Sequence, residues 1–507
     1  MNLKGLNLTI KKIKMNSKIN ILLLTAIVIL STACKKNLDL DQKGVYNTDN
    51  YFRNETDAVN AVSGIYSLLE QEDYISHAET TFDVASDDYW RSGDHSEDEA
   101  IENLTYDASN AQVRYSWSYK YETVNRSTNA IINIPKIASM NEMVRNRSMG
   151  ESYFMRAFGY WRLMLIYGDV PIISESDFTN KTFNKPKSSI EEVRKQIEAD
   201  LLKAVDLLPE SYGATDRGRV SKGTALGLLT KLYMYWEKLP QAITTGQRLI
   251  DNPNYNLAAT YKENFTRANE TSTEILFSVQ GLQNIVQNDY TIYYIPRAWG
   301  GYGFSQPLQG LANEFEANDS RKAATLLSVG DKINIGDGVE DQTFTSSLSS
   351  TGFAFRKYAV FYPFGSAEGN GVDHNYAVPL MRSSDIYLLV AEAKIRTQGA
   401  GAGDALINQV RRRASILLPP VAGAGMTQLI HERRVELAGE GERHQDLMRW
   451  DKTGLVNIAA IYNLAVSKAP VDQGKTVTFI RPKHYYYPIP QIEIDKAGGV
   501  LVQNPNF

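Results

Sequence analysis

The sequence predicts a mainly α-helical protein in which stacked helix pairs support an irregular, loop-rich part with minor β structure. Three observations predict it. Apolar residues in the first half recur at the spacing that lays one stripe along a helix. Small residues and prolines punctuate those stretches where helices would pack closely or stop. From Ile275 to about Ala377 the periodicity gives way to Gly, Ser, Asn and aromatics, and long irregular stretches inside a compact protein are commonly functional.

The elements follow in order. Ala58, Val59, Ala61, Val62, Ile65, Tyr66, Leu68 and Leu69 mark a first helix. A second, from about Gln112 to Ile134, stops at Pro135, with Trp117, Tyr121, Val124, Thr128 and Ile131 on one face. A third runs from about Val144 to Tyr167 and stops at Gly168-Asp169-Val170-Pro171. Ser188 with Glu191, or Ser189 with Glu192, offers a capping box for the helix that ends near Leu208-Pro209. Ser221 caps the next, which carries Ala225, Leu226, Leu228, Leu229, Leu232, Tyr233 and Trp236. Leu239-Pro240 opens a short helix ending before Asn252-Pro253. Gly159, Gly223, Ala225 and Gly227 suit close contacts, so adjacent helices read as tetratricopeptide-like hairpins stacked into a superhelix. No strict period of about 34 residues accompanies them. Ile275–Val279 reads as a strand, Trp299–Phe304 as a glycine-rich loop, and Ser346–Gly352 as irregular polar sequence. Helices return at Ile386–Thr397, Ala405–Ala414 and Met426–Ala438. The linker Gly399–Gly403 is not a phosphate loop, since no Lys-Ser/Thr follows it and no strand precedes it. Trp117, Trp161 and Trp236 lie on helix faces and are expected in the core.

The N-terminus reads as an export signal. Lys18 precedes the apolar run Ile19–Leu30, then Ser31-Thr32-Ala33-Cys34. The run falls short of the roughly 20 residues that span a bilayer. Residues 1–33 are therefore expected to be a signal peptide. Cys34 is the only cysteine in 507 residues, which excludes an intramolecular disulfide and a cysteine metal site. Its place resembles a bacterial lipobox, with Leu30 one residue further from the cysteine than usual. Cys34 is thus the expected lipidation site and the protein's hold on the membrane. Residues 34–50 form a tether, 51–270 an N-terminal helical region, and 271–507 a C-terminal region with ligand-facing loops and closing helices.

Composition is ordinary for a globular protein at 43% hydrophobic and 22% charged. A net charge of −4 provides no basic field, so nucleic acid is not an expected partner. The 29 Tyr and 6 Trp stand out, because such side chains suit surfaces that are apolar and hydrogen-bonding at once. Asp83, Asp87, Asp88, Asp94, Glu97, Asp98 and Glu99 form one acidic cluster. It reads first as a solvated loop, then as a calcium site, and last as a source of the paired carboxylates of a glycosidase. His431-Glu432 begins a zincin motif, but Val435 stands where the second histidine is needed. Glu432, Arg433, Arg434 and Glu436 are instead expected to form ion pairs on a packed helix. With no nucleophile, base or metal arrangement, no enzyme activity, metal or cofactor is expected.

Several motifs occur in one order: Glu151–Tyr160 running on to Tyr167–Pro171; Arg219–Ala225; Met381–Ala393; Glu432–Arg443 with Asp446-Leu447 and Arg449-Trp450; Tyr487-Pro488-Ile489-Pro490; and Gln503-Asn504-Pro505. This ordered set resembles the SusD/RagB family over nearly the whole chain after Cys34. In one departure, Ser383-Ser384 displace Arg382 from its usual place before Ser-Asp. The resemblance implies a surface-exposed outer-membrane lipoprotein that sits over a SusC-type TonB-dependent transporter. Its ligand would be an oligosaccharide or polysaccharide nutrient, or a peptide in some branches. Sugars present apolar faces and hydroxyl rims, which aromatic rings and polar side chains can match. The candidates are Tyr89, Trp90 and Arg91 beside the acidic cluster, and Tyr293, Trp299, Tyr302 and Phe304 in and before the glycine-rich loop. Relatives combine aromatics from comparable loops, which places Trp90 and Trp299 foremost. A hydrolase and a protein-only helical scaffold are the alternatives from other classes.

Overall fold

Capping residues set the long helices before packing is considered. The computed structural model describes residues 51–71, 84–93, 95–266, 269, 272–280, 290–333, 341–359, 377–413, 415–463 and 477–507. The expected signal peptide and the whole tether, Cys34 included, lie outside the described residues, as do Asp83 and Asp94.

Helix α1 spans Glu55–Tyr66, with the Asn54 side chain accepting from Asp57 N at its start. The short α2 covers Ser96–Glu102. Long α3, Ala111–Asn133, is capped by Asn110 and gives way to a turn at Pro135. Long α4, Glu142–Tyr167, is capped by Asn141 and ends at Gly168. After α5 (Glu175–Asn180), α6 covers Ile190–Leu207 with a full capping box between Ser189 and Glu192. Ser188 instead bridges to Val170. Helices α7 (Lys222–Tyr235, capped by Ser221) and α8 (Leu239–Ile250) follow.

These helices pack largely in chain order, α3 on α4, α4 on α6, α6 on α7 and α7 on α8. The arrangement is the expected tetratricopeptide-like stack. Gly159 shows why small residues sit at its contacts. A Cβ there would lie 2.9 Å from Val124 Cγ2 and 3.1 Å from the Lys120 carbonyl oxygen on α3, closer than packed atoms tolerate.

The second half contains α9 (Gln309–Glu314), α10 (Ser320–Thr325), α11 (Arg356–Ala359), α12 (Ser383–Gln398), α13 (Asp404–Arg411), α14 (Met426–Glu436) and α15 (Arg443–Lys452). Helix α12 packs on α8, and α13 and α14 pack on α12. The β structure is minor. Among the described residues it comprises four two-stranded antiparallel ribbons: β1 (Tyr89–Arg91) with β3 (Ser305–Pro307), β2 (Ile275–Gln280) with β8 (Ala377–Arg382), β4 (Leu326–Ser328) with β7 (Phe353–Phe355), and β5 (Lys332–Ile333) with β6 (Gln342–Thr343). No helix among the described residues is long and apolar enough to cross a membrane.

Three local expectations need correction. The acidic segment is not all loop, because residues 96–102 form α2 and bury Asp98 and Glu102. Trp117 and Trp161 are core, but Trp236 ends α7 half-buried, with the Lys238 ammonium 3.2 Å from the centre of its ring. Residues 346–348 form a helical turn rather than irregular chain. Helix α15, for which the sequence carried no expectation, buries His444, Gln445, Asp446, Arg449 and Asp451 alongside Leu447, Met448 and Trp450.

The expected ion pairs exist and are buried. Glu436 accepts from Arg321 and Arg382 at 3.0 and 2.9 Å, and from Arg413. Arg433 bridges Asp385 and Asp446, while Arg449 bridges Glu392 and Asp446. Arg382, the residue displaced in its motif, joins Glu274, Glu436 and Glu440. The start of β2, the end of β8 and helix α14 are thereby tied together.

A candidate ligand-binding ledge

Alternation along a strand sends Tyr89 and Arg91 to one face of β1 and Trp90 to the other. Tyr89 and Arg91 are accordingly buried, and Trp90 is half-buried. Trp90 sits opposite Gln306 in the β1–β3 register. Ser92 N donates to Phe304 O and Leu308 N to Asp88 O, extending the ribbon at both ends. A third segment lies alongside, since Tyr302 N donates to Ile292 O and Phe304 N to Tyr293 O, each at 2.8 Å. Two loops some 200 positions apart in sequence thus become one surface element.

Their side chains interlock beneath it. Tyr293, Tyr302 and Phe304 form a ring cluster, with centroids 5.2–5.8 Å apart. The Arg91 guanidinium carbon lies 3.6 Å from the centre of the Phe304 ring. Its Nε donates to Asp98 at 2.9 Å, and its backbone N–H to Glu102. Tyr89 packs on Phe355 of β7. Arg91 is therefore a buried clamp, and Tyr89, Tyr293 and Phe304 are supporting rings with no face open to solvent.

Exposure is left to others. Tyr302 is 39% exposed. Trp299 is half-buried and stands on a different support. Its ring meets Phe344 edge-on at 6.0 Å, over a cluster that includes Ile295, Leu327 and Ala354. Gly300 follows with φ of +92°, a conformation that disfavours any side chain, and a Cβ on Gly301 would lie 2.4 Å from Ile295. The glycines let the loop fold back tightly and present the indole.

Some neighbours escaped the sequence reading. His95 stands exposed with its ring 5.1 Å from Phe304. Gln306 Oε1 accepts from Ser349 Oγ at 2.7 Å and from Ser350 N at 2.9 Å, fastening the polar segment to β3. The Ser/Thr-rich composition of residues 345–351 hinted at hydrogen bonding, but nothing in it named a partner.

Three members of the acidic cluster, Asp87, Asp88 and Asp98, are spent on structure. Asp87 pairs with Arg434 and Arg443, and Asp88 with Arg434. Burial opposes the charged form of Asp87, but Arg443 and Arg434 outweigh it and hold the carboxyl below its usual range. Asp98 is taken by Arg91. One His/carboxylate group among the described residues has metal-like spacing, namely Glu316, His431 and Glu432. Arg411 occupies both carboxylates, and Arg321 also pairs with Glu432. Guanidinium groups thus fill the place an ion would need.

The same combination of helix stack and loop ribbons recurs in known proteins. A model described as the SusD family matches residues 273–507. A SusD-like model, described as starch-binding associating with outer membrane, matches residues 38–234. The chain belongs to the SusD/RagB family. SusD-like protein P2 of Formosa agariphila is 25% identical over 527 aligned positions, covering 96% of this chain and 99% of that protein. A solved laminarin-binding SusD-like protein is 25% identical with a TM-score of 0.74, covering 90% of this chain and all of that one. The surface glycan-binding protein A of Bacteroides thetaiotaomicron, solved with laminarihexaose, shares the SusD fold at 22% identity and a TM-score of 0.72, with 88% of this chain and 98% of that chain covered.

Proposed function

We propose that this protein is a surface-exposed outer-membrane lipoprotein, anchored through Cys34, that binds an oligosaccharide or polysaccharide nutrient and passes it to a SusC-type TonB-dependent transporter. The observation that carries the ligand reading is the joining of the two aromatic loops through β1 and β3. Trp90, Tyr302 and Trp299 are the ligand-facing rings, Tyr302 beside the cluster of Tyr293, Phe304 and Arg91, and Trp299 over Phe344 and the Ile295 cluster. Flat rings on a rigid base suit the apolar faces of sugars at little entropic cost. The family and its glycan-binding relatives support the same reading. We read it as a binder rather than a hydrolase, because Asp87, Asp88 and Asp98 beside the ledge are engaged by arginines.

The test is affinity electrophoresis and calorimetry of the protein lacking residues 1–34 against a panel of polysaccharides and peptides. A glycan is expected to bind with no reducing ends released. Trp299→Ala should weaken that binding at least about tenfold, or about 1.4 kcal/mol. Unchanged binding in that variant would remove Trp299 from the site. A peptide hit with no glycan hit would replace the ligand class.

A further inference from the structure

A cavity of about 200 Å³ lies among other elements, between the ends of α4 and α7, the start of α6, helix α15 and residues 484–487. Tyr235, Tyr485 and Tyr486 line it together with Met164 and Met448. Arg194 lines it too, and it is poorly partnered. Its Nη2 donates to the Tyr235 carbonyl at 3.0 Å, its nearest carboxylate is Glu191 at 3.9 Å, and its Nε is buried without an acceptor. A guanidinium has five N–H donors, and a charge only partly in water, here with 22% of its side chain exposed, gains from a close counter-charge. That carboxylate is also shared, since Glu191 accepts from Trp236 Nε1 at 2.8 Å.

The other charges in the wall cancel. Arg449 is taken by Glu392 and Asp446, and Glu237 by Arg396. Lys452 is exposed, with its ammonium 4.1 Å from the ring centre of Tyr486 and 5.0 Å from that of Tyr485. No ion pair holds it among the described residues. The cavity therefore combines flat aromatic walls with two cations that lack a close carboxylate. That volume is well above the roughly 10–15 Å³ that one water needs, which leaves room for a ring.

We propose that this cavity is a second ligand site, which takes a single ring bearing a carboxylate. The carboxylate meets Arg194 and Lys452, and the ring lies against Tyr485 and Tyr486. Arginine forks suit carboxylates, and tyrosine faces suit either a sugar ring or an aromatic one. A hexuronic acid and an aromatic acid share this chemistry.

Calorimetry of the purified protein with glucuronate, benzoate and glucose tests it. One carboxylate is expected to bind at one per chain, and which one binds names the source; glucose is expected to give no heat. Arg194→Gln should weaken binding at least tenfold while leaving polysaccharide binding at the ledge unchanged, and Arg194→Lys should restore part of it. If Arg194→Gln melts early, Lys452→Met carries the test with an expected loss of threefold or more. The proposal is overturned if neither carboxylate binds, if glucose binds as well as glucuronate, or if both Arg194→Gln and Lys452→Met bind as before.

Discussion

Glu436 shows how much one side chain can organise. It is fully buried, and burial alone would favour its neutral form. Arg413, Arg382 and Arg321 outweigh that cost and hold its carboxyl below the usual range. Those three arginines come from β8, α10 and the end of α13, so the carboxylate is the point at which separate elements agree on a position. Glu436→Gln keeps the shape and leaves three guanidinium groups around a neutral amide. Breaking a buried pair by removing one partner typically costs about 3–5 kcal/mol. The urea midpoint should fall correspondingly with an unchanged slope. A loss under about 1 kcal/mol would mean that Glu274 and Glu432 suffice to neutralise the cluster.

At the scale of elements, the contact of α3 with α4 depends on having no side chain at Gly159. Gly159→Leu should force the two helices apart and destabilise the protein by about 1–3 kcal/mol, read as a lower melting temperature. Gly159→Ala should cost less, since Val124 can yield more easily than the Lys120 carbonyl. This contact was legible in the sequence, as were the caps at Ser189 and Ser221 and the stop at Gly168. Each is a local signal with a local physical cause. Helices α2 and α15 were not legible as helices. Periodicity finds an apolar stripe, and these two bury charged residues; those of α2 are held by nearby Arg91, and those of α15 mostly by partners far away in sequence. The ledge was half legible. Aromatics in glycine-rich sequence marked residues that the structure brings side by side, but three-residue strands carry too little pattern to reveal that β1 pairs with β3. Burial then divides the candidates into rings that support and rings that face outward, a division set by the pairing.

Across the whole molecule, the ledge is held to the helical scaffold by a chain of charges. Asp87 and Asp88 precede β1, and Glu314 ends α9 just after β3; all three grip Arg434 of α14. Glu314 also bonds His431 Nδ1 at 2.8 Å, and Glu316 bonds Nε2 at 3.1 Å. Arg411 then links Glu316 to Glu432, and Arg321 links Glu432 to Glu436. His431 is the imidazole in this chain of charges, the side-chain type whose ordinary value lies nearest neutrality. The Glu314 hydrogen bond raises its pKa above 6.5, against the opposing effect of burial. A group whose pKa is raised by folding stabilises fully below its unfolded value and ceases to do so as pH climbs through its folded value. Stability should therefore decline from about pH 6.5 upward. His431 is a quarter exposed in its side chain, so solvent screens the pair and the effect is of the order of 1 kcal/mol or less. In a chain of this length that amounts to about 1–2 °C in melting temperature. Melting curves between pH 5.5 and 8.5 should show the decline in the natural protein and a flatter profile in His431→Gln. Equal slopes in the two proteins would place the pH dependence elsewhere and leave Arg434 as the anchor of the ledge without help from His431.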